Sequence, residues 1–287
     1  MDIPLNRTEL VKIVQRASAP IAAAFGLPLV YLAKEGRIKA AAAVTAIDRA
    51  IQAKLMDVLP GDFMGEEEGQ RVTGSELIWL TDPLDGTGAR IRGLASATCI
   101  VTLMCVKNGF GKPLLTVIHN PITKQTWSAQ SGGDTYYQYA GSRDTQCILR
   151  VIKTSDALPK QILSTITLWP GNDFRFDEVK KAVEGNSLFD NQDFGALGSA
   201  HATVATGTTH LSACRASAAY ETAAAALLMQ EAGGVVCDLE GKNLIDEGFP
   251  ILDVRGKTTF AIPKGAVVAA SEVVAQEFLK LVRSVNT

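Results

Sequence analysis

The run W-L-T-D-P-L-D-G-T at residues 79–87 constrains this 287-residue chain more than any other stretch. The apolar residues from Leu77 to Thr81 predict a strand that delivers Asp82 at its end. Pro83 has no N–H group to donate to a neighbouring strand, so the ladder is expected to break there. Two carboxylates three residues apart, on either side of such a break, can converge on one point.

The same run offers ligands for a hard cation and for an anion. Asp82, Asp85 and the Leu84 carbonyl present only oxygen atoms, which suit Mg2+. Gly86 permits a tight turn, and Thr87 is predicted to cap a helix whose free N–H groups would form an anion site. The hydrolysis of a phosphate ester needs a metal site beside an anion site. The alternative interpretation is an ordinary Asp-Pro and Asp-Gly turn followed by a helix cap.

Three further acidic positions could belong to the same site. Asp48 lies at the start of a predicted helix, Glu66 within G-E-E-E-G at 65–69, and Glu221 at the start of another predicted helix. Each position has an ordinary interpretation when taken alone. Asp48 fits a capping box, Glu66 a solvated charge run, and Glu221 a carboxylate that complements the helix dipole. Their order along the chain must therefore decide between the interpretations.

The pattern of elements predicts two lobes. A first helix is capped by Asn6 and a last one lies near residues 273–282, with others over 45–58, 173–183, 198–206 and 221–232. Strands are predicted over 77–81, 100–106, 114–118, 126–129, 136–139, 162–167 and 235–237. Residues 1–150 form an α+β lobe that carries most of the metal ligands. Residues 151–287 form an α/β lobe that completes the site.

Composition excludes several classes of protein. Hydrophobic residues make up 47% of the chain and the net charge is −2, so a large core is expected, and neither a nucleic-acid polymer nor a membrane surface is an expected partner. No signal peptide or membrane span is predicted. The five cysteines are odd in number and form no C-x-x-C pair, which indicates reduced, mostly buried thiols and a cytoplasmic location.

In kind, order and spacing, four segments resemble the inositol monophosphatase family, within the larger group of Mg2+-dependent, lithium-sensitive phosphatases. They are V-T-x-x-D (44–48), G-E-E (65–67), W-x-x-D-P-L-D-G-T (79–87), and Glu221 followed by A-A and E-A-G-G (to 234). The resemblance covers nearly the whole chain. It implies a layered α-β-α-β-α sandwich of the inositol monophosphatase and fructose-1,6-bisphosphatase type, and a homodimer.

The resemblance also implies a site and a reaction. Two or three Mg2+ ions, for which Mn2+ could substitute, would promote direct attack of water on a small-molecule phosphate ester. The implied metal ligands are Glu66, Asp82, the Leu84 carbonyl, Asp85 and Glu221. Asp48, Thr87 and Glu66 would serve catalysis, while the backbone N–H groups of Gly86 and Thr87 would hold the phosphate.

The sequence departs from the family at positions that bear on the substrate. Glu221 is one methylene longer than the family's Asp, so weaker binding of the second metal is expected. Arg90 replaces part of the family's D-G-T-x-N-F and is either a contact to an acidic substrate group or a surface side chain. Cys214 stands where inositol-specific members carry a Glu that binds a ring hydroxyl, and the neighbouring Arg215 is a candidate substrate contact.

These observations predict a Mg2+-dependent hydrolase that acts on a small phosphorylated polyol or sugar. Alternatives within the class are a 3'(2'),5'-bisphosphate nucleotidase and a fructose-1,6-bisphosphatase. An alternative of another class is a non-catalytic homologue that binds metal or phosphate, which the Glu221 substitution suggests.

Overall fold

The computed structural model describes residues 3–26, 31–33, 43–139, 147–149, 158–167, 176–254 and 256–286. The helices in this part of the chain are α1 (Arg7–Ala23), α2 (Ala46–Val58), α3 (Thr87–Ile91), α4 (Phe176–Glu184), α5 (Leu197–Ala205), α6 (Tyr220–Ala232), α7 (Leu244–Glu247) and α8 (Glu272–Asn286). The predicted boundary at residues 150 and 151 and the predicted helical residues 173–175 lie outside the described ranges.

The strands form two large sheets and one small one. The first sheet contains β3 (Asp62–Gly65), β4 (Gln70–Arg71), β5 (Leu77–Asp85), β6 (Thr98–Lys107), β7 (Phe110–Asn120), β8 (Gln125–Gln130), β9 (Thr135–Gln138) and β10 (Cys147–Leu149), in the order β10-β9-β8-β7-β6-β5-β3-β4. The second contains β11 (Ile162–Thr167), β12 (Phe189–Asn191), β13 (Leu211–Cys214), β15 (Val235–Cys237) and β18 (Ala266–Ala269), in the order β12-β11-β13-β18-β15. The small sheet pairs β1 (Tyr31–Ala33) with β2 (Ala43–Thr45).

Three strands from late in the chain extend the first sheet. These are β14 (Ser217–Ala218), β16 (Phe249–Val254) and β17 (Lys257–Ile262). β16 pairs with β7, and β17 pairs with both β16 and β14. The second half of the chain therefore contributes strands to both sheets.

Alternating side chains of β6 show how the layers are built. Val101 and Leu103 pack against α1 and α2 on one face of the first sheet. Ile100 and Met104 lie in a different buried cluster on the opposite face, together with residues of α6. This period of two is what a strand buried on both faces requires.

The middle layer of the molecule contains the apolar helix α6. All seven residues 223–229 of α6 are buried, between the first sheet and Val236 and Val268 of the second. The far face of the second sheet packs against α4 and α8 through residues such as Val179 and Phe278. The chain therefore has the predicted α-β-α-β-α layering. Helices α1 and α2 form one outer layer, and α4 and α8 form the other.

The structure corrects one sequence prediction about β5. The strand was expected to end near Asp82, but it continues through Pro83 to Asp85 with a shift of register between the two aspartates. A proline is tolerated at such a bulge because its missing N–H leaves no ladder bond unmade.

Other local predictions are confirmed. The Asn6 side chain accepts from the Glu9 amide at 3.0 Å and the Glu9 carboxylate accepts from the Asn6 amide at 2.9 Å, which completes the expected capping box. Among the described cysteines, Cys99, Cys214 and Cys237 are buried free thiols and Cys105 is a half-buried one. Among the described helices, none combines the length and the apolar character needed to span a bilayer.

Candidate active site

A bulge in β5 turns Asp82 and Asp85 toward a common point. Asp82 lies opposite Ile100 and Asp85 opposite Thr98, so three steps along β5 match two along β6. In a regular strand, side chains three residues apart point to opposite faces. The extra residue of the bulge lets the side chains of Asp82 and Asp85 point to the same face of the sheet. Two aspartates three residues apart in D-P-L-D can therefore belong to one site.

The Asp85 carboxylate is anchored by the neighbouring strand β6 and by α5 from the second half of the chain. Its Oδ1 accepts from the Leu197 amide at 3.1 Å, and its Oδ2 accepts from the Gly198 amide and the Thr98 hydroxyl, each at 2.8 Å. The two amides belong to the first turn of α5, where the helix dipole favours a negative charge. The sequence analysis missed all three anchors, and only the small residues of G-A-L-G-S-A at 195–200 hinted at close packing.

Glu221 completes a group of three carboxylates. It lies in the first turn of α6, and one of its oxygen atoms, one from Asp82 and one from Asp85 all lie within 4.8 Å of one another. Both aspartates are buried and Glu221 is half-buried. The side chain that is one methylene longer than the family's Asp therefore still reaches the other two carboxylates.

The electrostatics of this group favour a bound cation. Burial raises the pKa of Asp85 to about 6. The three hydrogen bonds that Asp85 accepts act in the opposite direction, and the charge of Glu66 raises the pKa further. Burial, then the charges of Asp85 and Glu66, raise the pKa of Glu221 well above its usual range. A divalent cation would relieve this repulsion, and the all-oxygen donor set suits a hard ion such as Mg2+. The residues present therefore fit the metal that the resemblance implies.

Glu66 lies next to this group and is not part of the 4.8 Å cluster. It follows β3, which runs parallel to β5, and its amide donates to the Thr81 carbonyl at 2.9 Å. The parallel pairing carries Glu66 to the same end of the sheet as Asp82. The Glu66 carbonyl accepts from Lys257 Nζ, and the amide of the next residue, Glu67, donates to the Gln52 side chain. The sequence analysis missed both Lys257 and Gln52.

Thr87 joins the site to α2 through its hydroxyl group. Its Oγ1 lies 3.0 Å from Asp48 Oδ1 and 2.9 Å from the Leu84 carbonyl oxygen, and Asp48 is only 2% exposed. The predicted N-cap at Thr87 is wrong, because Gly86 takes that position with a φ of 78° and Thr87 is the first helical residue. A Cβ at Gly86 would lie 2.5 Å from Ala196 Cβ, so both the positive φ and the close approach require glycine.

Two of the three candidate substrate contacts have other neighbours in the structure. Arg90 is only 3% exposed, its guanidinium donates to the Ala24 carbonyl, and it lies 5.1 Å from the Phe25 ring centroid. The surface alternative for Arg90 is therefore wrong, and its guanidinium contacts the end of α1 instead of joining the carboxylate group. Cys214 is buried, with Sγ 3.8 Å from Thr222 Oγ1, and burial raises its pKa to about 12. Arg215 follows β13 and is half-buried.

A family model decides the relationship of this chain to known proteins. The model of the inositol monophosphatase family matches residues 6–287. The chain belongs to this family. Membership makes it a phosphoric monoester hydrolase, as the order of its acidic segments predicted.

Individual relatives agree with this assignment. The Nus factor SuhB of Pasteurella multocida is 29% identical over 211 residues, which is 69% of this chain and 72% of that protein. The structure of the Thermotoga maritima IMPase superposes with a TM-score of 0.75 at 22% identity and covers 98% of both chains. A crystal structure of an IMPase/NADP phosphatase complexed with Mg2+ and phosphate has a TM-score of 0.71 at 17% identity, and covers 96% of this chain and 94% of that one. These two likenesses show the fold alone.

Proposed function

We propose that the chain is a Mg2+-dependent phosphatase that cleaves a small phosphorylated polyol or sugar by direct attack of water. The observation that carries the proposal is the convergence of Asp82, Asp85 and Glu221 beside the Thr87–Asp48 pair. The Mg2+ and phosphate present in the crystal structure of a protein with this fold support it.

The metal ligands are proposed from the carboxylate group and the residues around it. Asp82, Asp85, Glu221, Glu66 and the Leu84 carbonyl would hold two or three Mg2+ ions, with Mn2+ as a substitute. When bound, Mg2+ lowers the pKa of water, neutralises the phosphate and stabilises the leaving alkoxide. The Leu84 carbonyl oxygen lies 2.9 Å from Thr87 Oγ1. It has two lone pairs, so it can face a cation while the single Thr87 proton is donated to Asp48.

The Thr87–Asp48 pair is proposed to take the proton of the attacking water. The Thr87 hydroxyl can accept a hydrogen bond from water while it donates its own proton to Asp48 Oδ1, 3.0 Å away. Asp48 is buried, so its carboxylate faces the hydroxyl with little competition from solvent. The backbone N–H groups of Gly86 and Thr87 are proposed to orient the phosphate toward this pair.

The residues of the site indicate the type of reaction more specifically than they indicate the substrate. Cys214 replaces the family's inositol-binding Glu and is a poor hydrogen-bond partner for a ring hydroxyl, while Arg90 contacts α1. Inositol monophosphate, fructose 1,6-bisphosphate and adenosine 3',5'-bisphosphate therefore belong in one panel. Phosphate release is measured with each substrate while Mg2+ is titrated. The proposal expects Mg2+-dependent release from at least one of them, and no release from any, with either Mg2+ or Mn2+, would contradict it.

A further inference from the structure

The ammonium group of Lys257 lies among three successive carbonyl oxygens. Its Nζ donates to the carbonyls of Gly65 at 2.5 Å, Glu66 at 2.7 Å and Glu67 at 2.5 Å. An ammonium has three N–H donors and no acceptor, so three carbonyls match its hydrogen-bonding capacity. Successive carbonyls of a strand point to opposite sides, and these three meet at one atom because the backbone curves around it. Lys257 therefore fixes the path of the chain at Glu66.

A second side chain holds the same segment from α2. The Gln52 amide oxygen accepts from the Glu67 amide at 2.9 Å, and its nitrogen donates to the carbonyls of Glu68 at 2.6 Å and Gly69 at 3.2 Å. A Cβ at Gly65 would lie 2.1 Å from the Gln52 amide oxygen, so glycine is needed for this approach. Gln52 holds the later part of the segment, and Lys257 holds the part that carries Glu66.

The strand that carries Lys257 also reaches the helix that carries Glu221. β17 begins at Lys257, and at its other end the Phe260 carbonyl accepts from the Ala219 amide at 2.9 Å. Glu221 follows two residues later. One strand thus connects the three carbonyls around Lys257 Nζ with the start of α6.

The Tyr220 hydroxyl makes a second connection between the start of α6 and the three carbonyls around Lys257 Nζ. The Tyr220 hydroxyl donates to the Gly65 carbonyl at 3.3 Å, so this oxygen accepts from both Tyr220 and Lys257. Tyr220 is itself buried. The carbonyl at the end of β3 is therefore held from α6 and from β17.

We propose that Lys257 is a positioning residue, which fixes Glu66 at the distance from Asp82, Asp85 and Glu221 that metal binding needs. The inference rests on the proposed function, since it takes these carboxylates as the metal site. A compact ammonium suits three converging carbonyls, whereas the planar guanidinium of arginine places its donors in a flat fork. A methionine has similar length but no donors, so it would remove the ammonium donor from all three carbonyls and leave the Gly65 carbonyl with Tyr220 alone.

The test compares Lys257→Met with a matched control, Lys264→Met. Lys264 is 52% exposed and pairs with Glu240 on the surface, away from the three carbonyls. Mn2+ binding is measured without substrate, from the electron paramagnetic resonance signal of the free ion. Loss of an outer partner of a metal ligand typically weakens metal affinity by roughly 10–100-fold. Lys257→Met is expected to weaken Mn2+ binding by at least about tenfold, and Lys264→Met to leave it unchanged.

Two further readouts separate positioning from general stability. Lys257→Met is expected to raise the Mg2+ concentration for half-maximal turnover by a larger factor than the factor by which it lowers the rate at saturating Mg2+. Backbone amide exchange is expected to speed up at residues 65–69 and to stay unchanged in α8. In Lys257→Ala, added propylammonium replaces the missing atoms and is expected to lower the Mg2+ requirement again.

The outcomes are distinct. Wild-type Mn2+ affinity and unchanged exchange at residues 65–69 in Lys257→Met would overturn the inference and leave the proposed function standing. Failure of every Lys257 variant to fold, with or without propylammonium, would also overturn it, because the residue would then serve stability alone. Absence of Mn2+ binding in the unaltered protein would overturn the proposed function, and this inference with it.

Discussion

The Gly198 amide donates to Asp85 Oδ2 at 2.8 Å, and a Cβ on residue 198 would lie 2.9 Å from the same oxygen. The added atom would also lie 2.5 Å from Ile100 Cδ1 and 2.6 Å from Thr98 Oγ1. This contact joins α5 to β5 at the carboxylate group, and only a residue without a side chain permits it.

Gly198→Ala is therefore expected to lower the free energy of unfolding by about 1–3 kcal/mol, the usual cost of overpacking. It is also expected to weaken Mn2+ binding, because the Asp85 carboxylate must move. Urea unfolding and Mn2+ titration measure the two effects. Gly185→Ala is the control, since its Cβ would meet the carbonyl oxygens of Lys181 at 3.3 Å and Ala182 at 3.9 Å, outside the site. Equal effects of the two variants on Mn2+ affinity would contradict the account.

Asp82→Asn is expected to remove most of the turnover and to weaken metal binding. The amide keeps the shape of the side chain but removes one of three charges that converge within 4.8 Å. Phosphate release and Mn2+ titration are measured beside Asp57→Asn, a change of the same kind at an exposed position of α2. Near-wild-type turnover in Asp82→Asn would exclude Asp82 as a metal ligand.

Thr87→Val is expected to reduce kcat by roughly 10²–10⁴-fold, the usual contribution of a positioned proton acceptor. Valine keeps the branched shape but cannot bridge to Asp48. Thr87→Ser retains the hydroxyl and is expected to recover most of the rate. Mn2+ binding should change much less than kcat in both variants. If valine and serine lower kcat equally, the hydroxyl is not part of the proton path.

Stability should fall on acidification because His201 is buried as the neutral form. It lies between the hydroxyl groups of Ser212 and Thr222, 3.0 and 3.3 Å away, and burial lowers its pKa from 6.5 to about 3. Between these two values the unfolded chain binds a proton that the folded chain does not. The free energy of unfolding therefore loses up to about 1.4 kcal/mol per pH unit from this residue as the pH falls.

The measurement is urea unfolding of the wild type and of His201→Gln between pH 7.5 and pH 5. The glutamine variant is expected to be less stable at pH 7.5 and to depend less steeply on pH. Other titrating groups, His119 among them, remain in both proteins, so the difference in slope belongs to His201. Identical slopes would show that His201 does not resist protonation in the folded state.

The sequence predicted the long elements and the chemistry better than the short strands. The apolar periodicity of α2, the continuous run of helix-forming residues in α6 and the long apolar run in β6 extend over enough residues to be recognised. The four-residue strands β13 and β18 are buried throughout, with no alternation to mark them. The hairpin of β16 and β17 was missed as well, since its strands become regular only through pairing with each other and with the first sheet.

In the site too, residues within local sequence motifs were predicted and residues that reach the site through long-range contacts were not. Asp48, Asp82, Asp85, Thr87 and Glu221 carry recognisable motifs, and the structure places them close together. Their anchors have no local signature, because Lys257 meets Glu66 across 191 residues and Gly198 meets Asp85 across 113. For Arg90 the sequence left open a contact to an acidic substrate group or a surface position, and the structure instead shows its guanidinium donating to the Ala24 carbonyl. Contacts of this kind depend on the tertiary fold and not on the sequence pattern.

The most direct test of the central claim is an anomalous difference map from a crystal of the protein soaked in Mn2+. The account predicts a peak at coordination distance from the carboxylates of Asp82 and Asp85, with Glu221 beside it. No peak at this group, at a Mn2+ concentration that supports phosphate release, would contradict it.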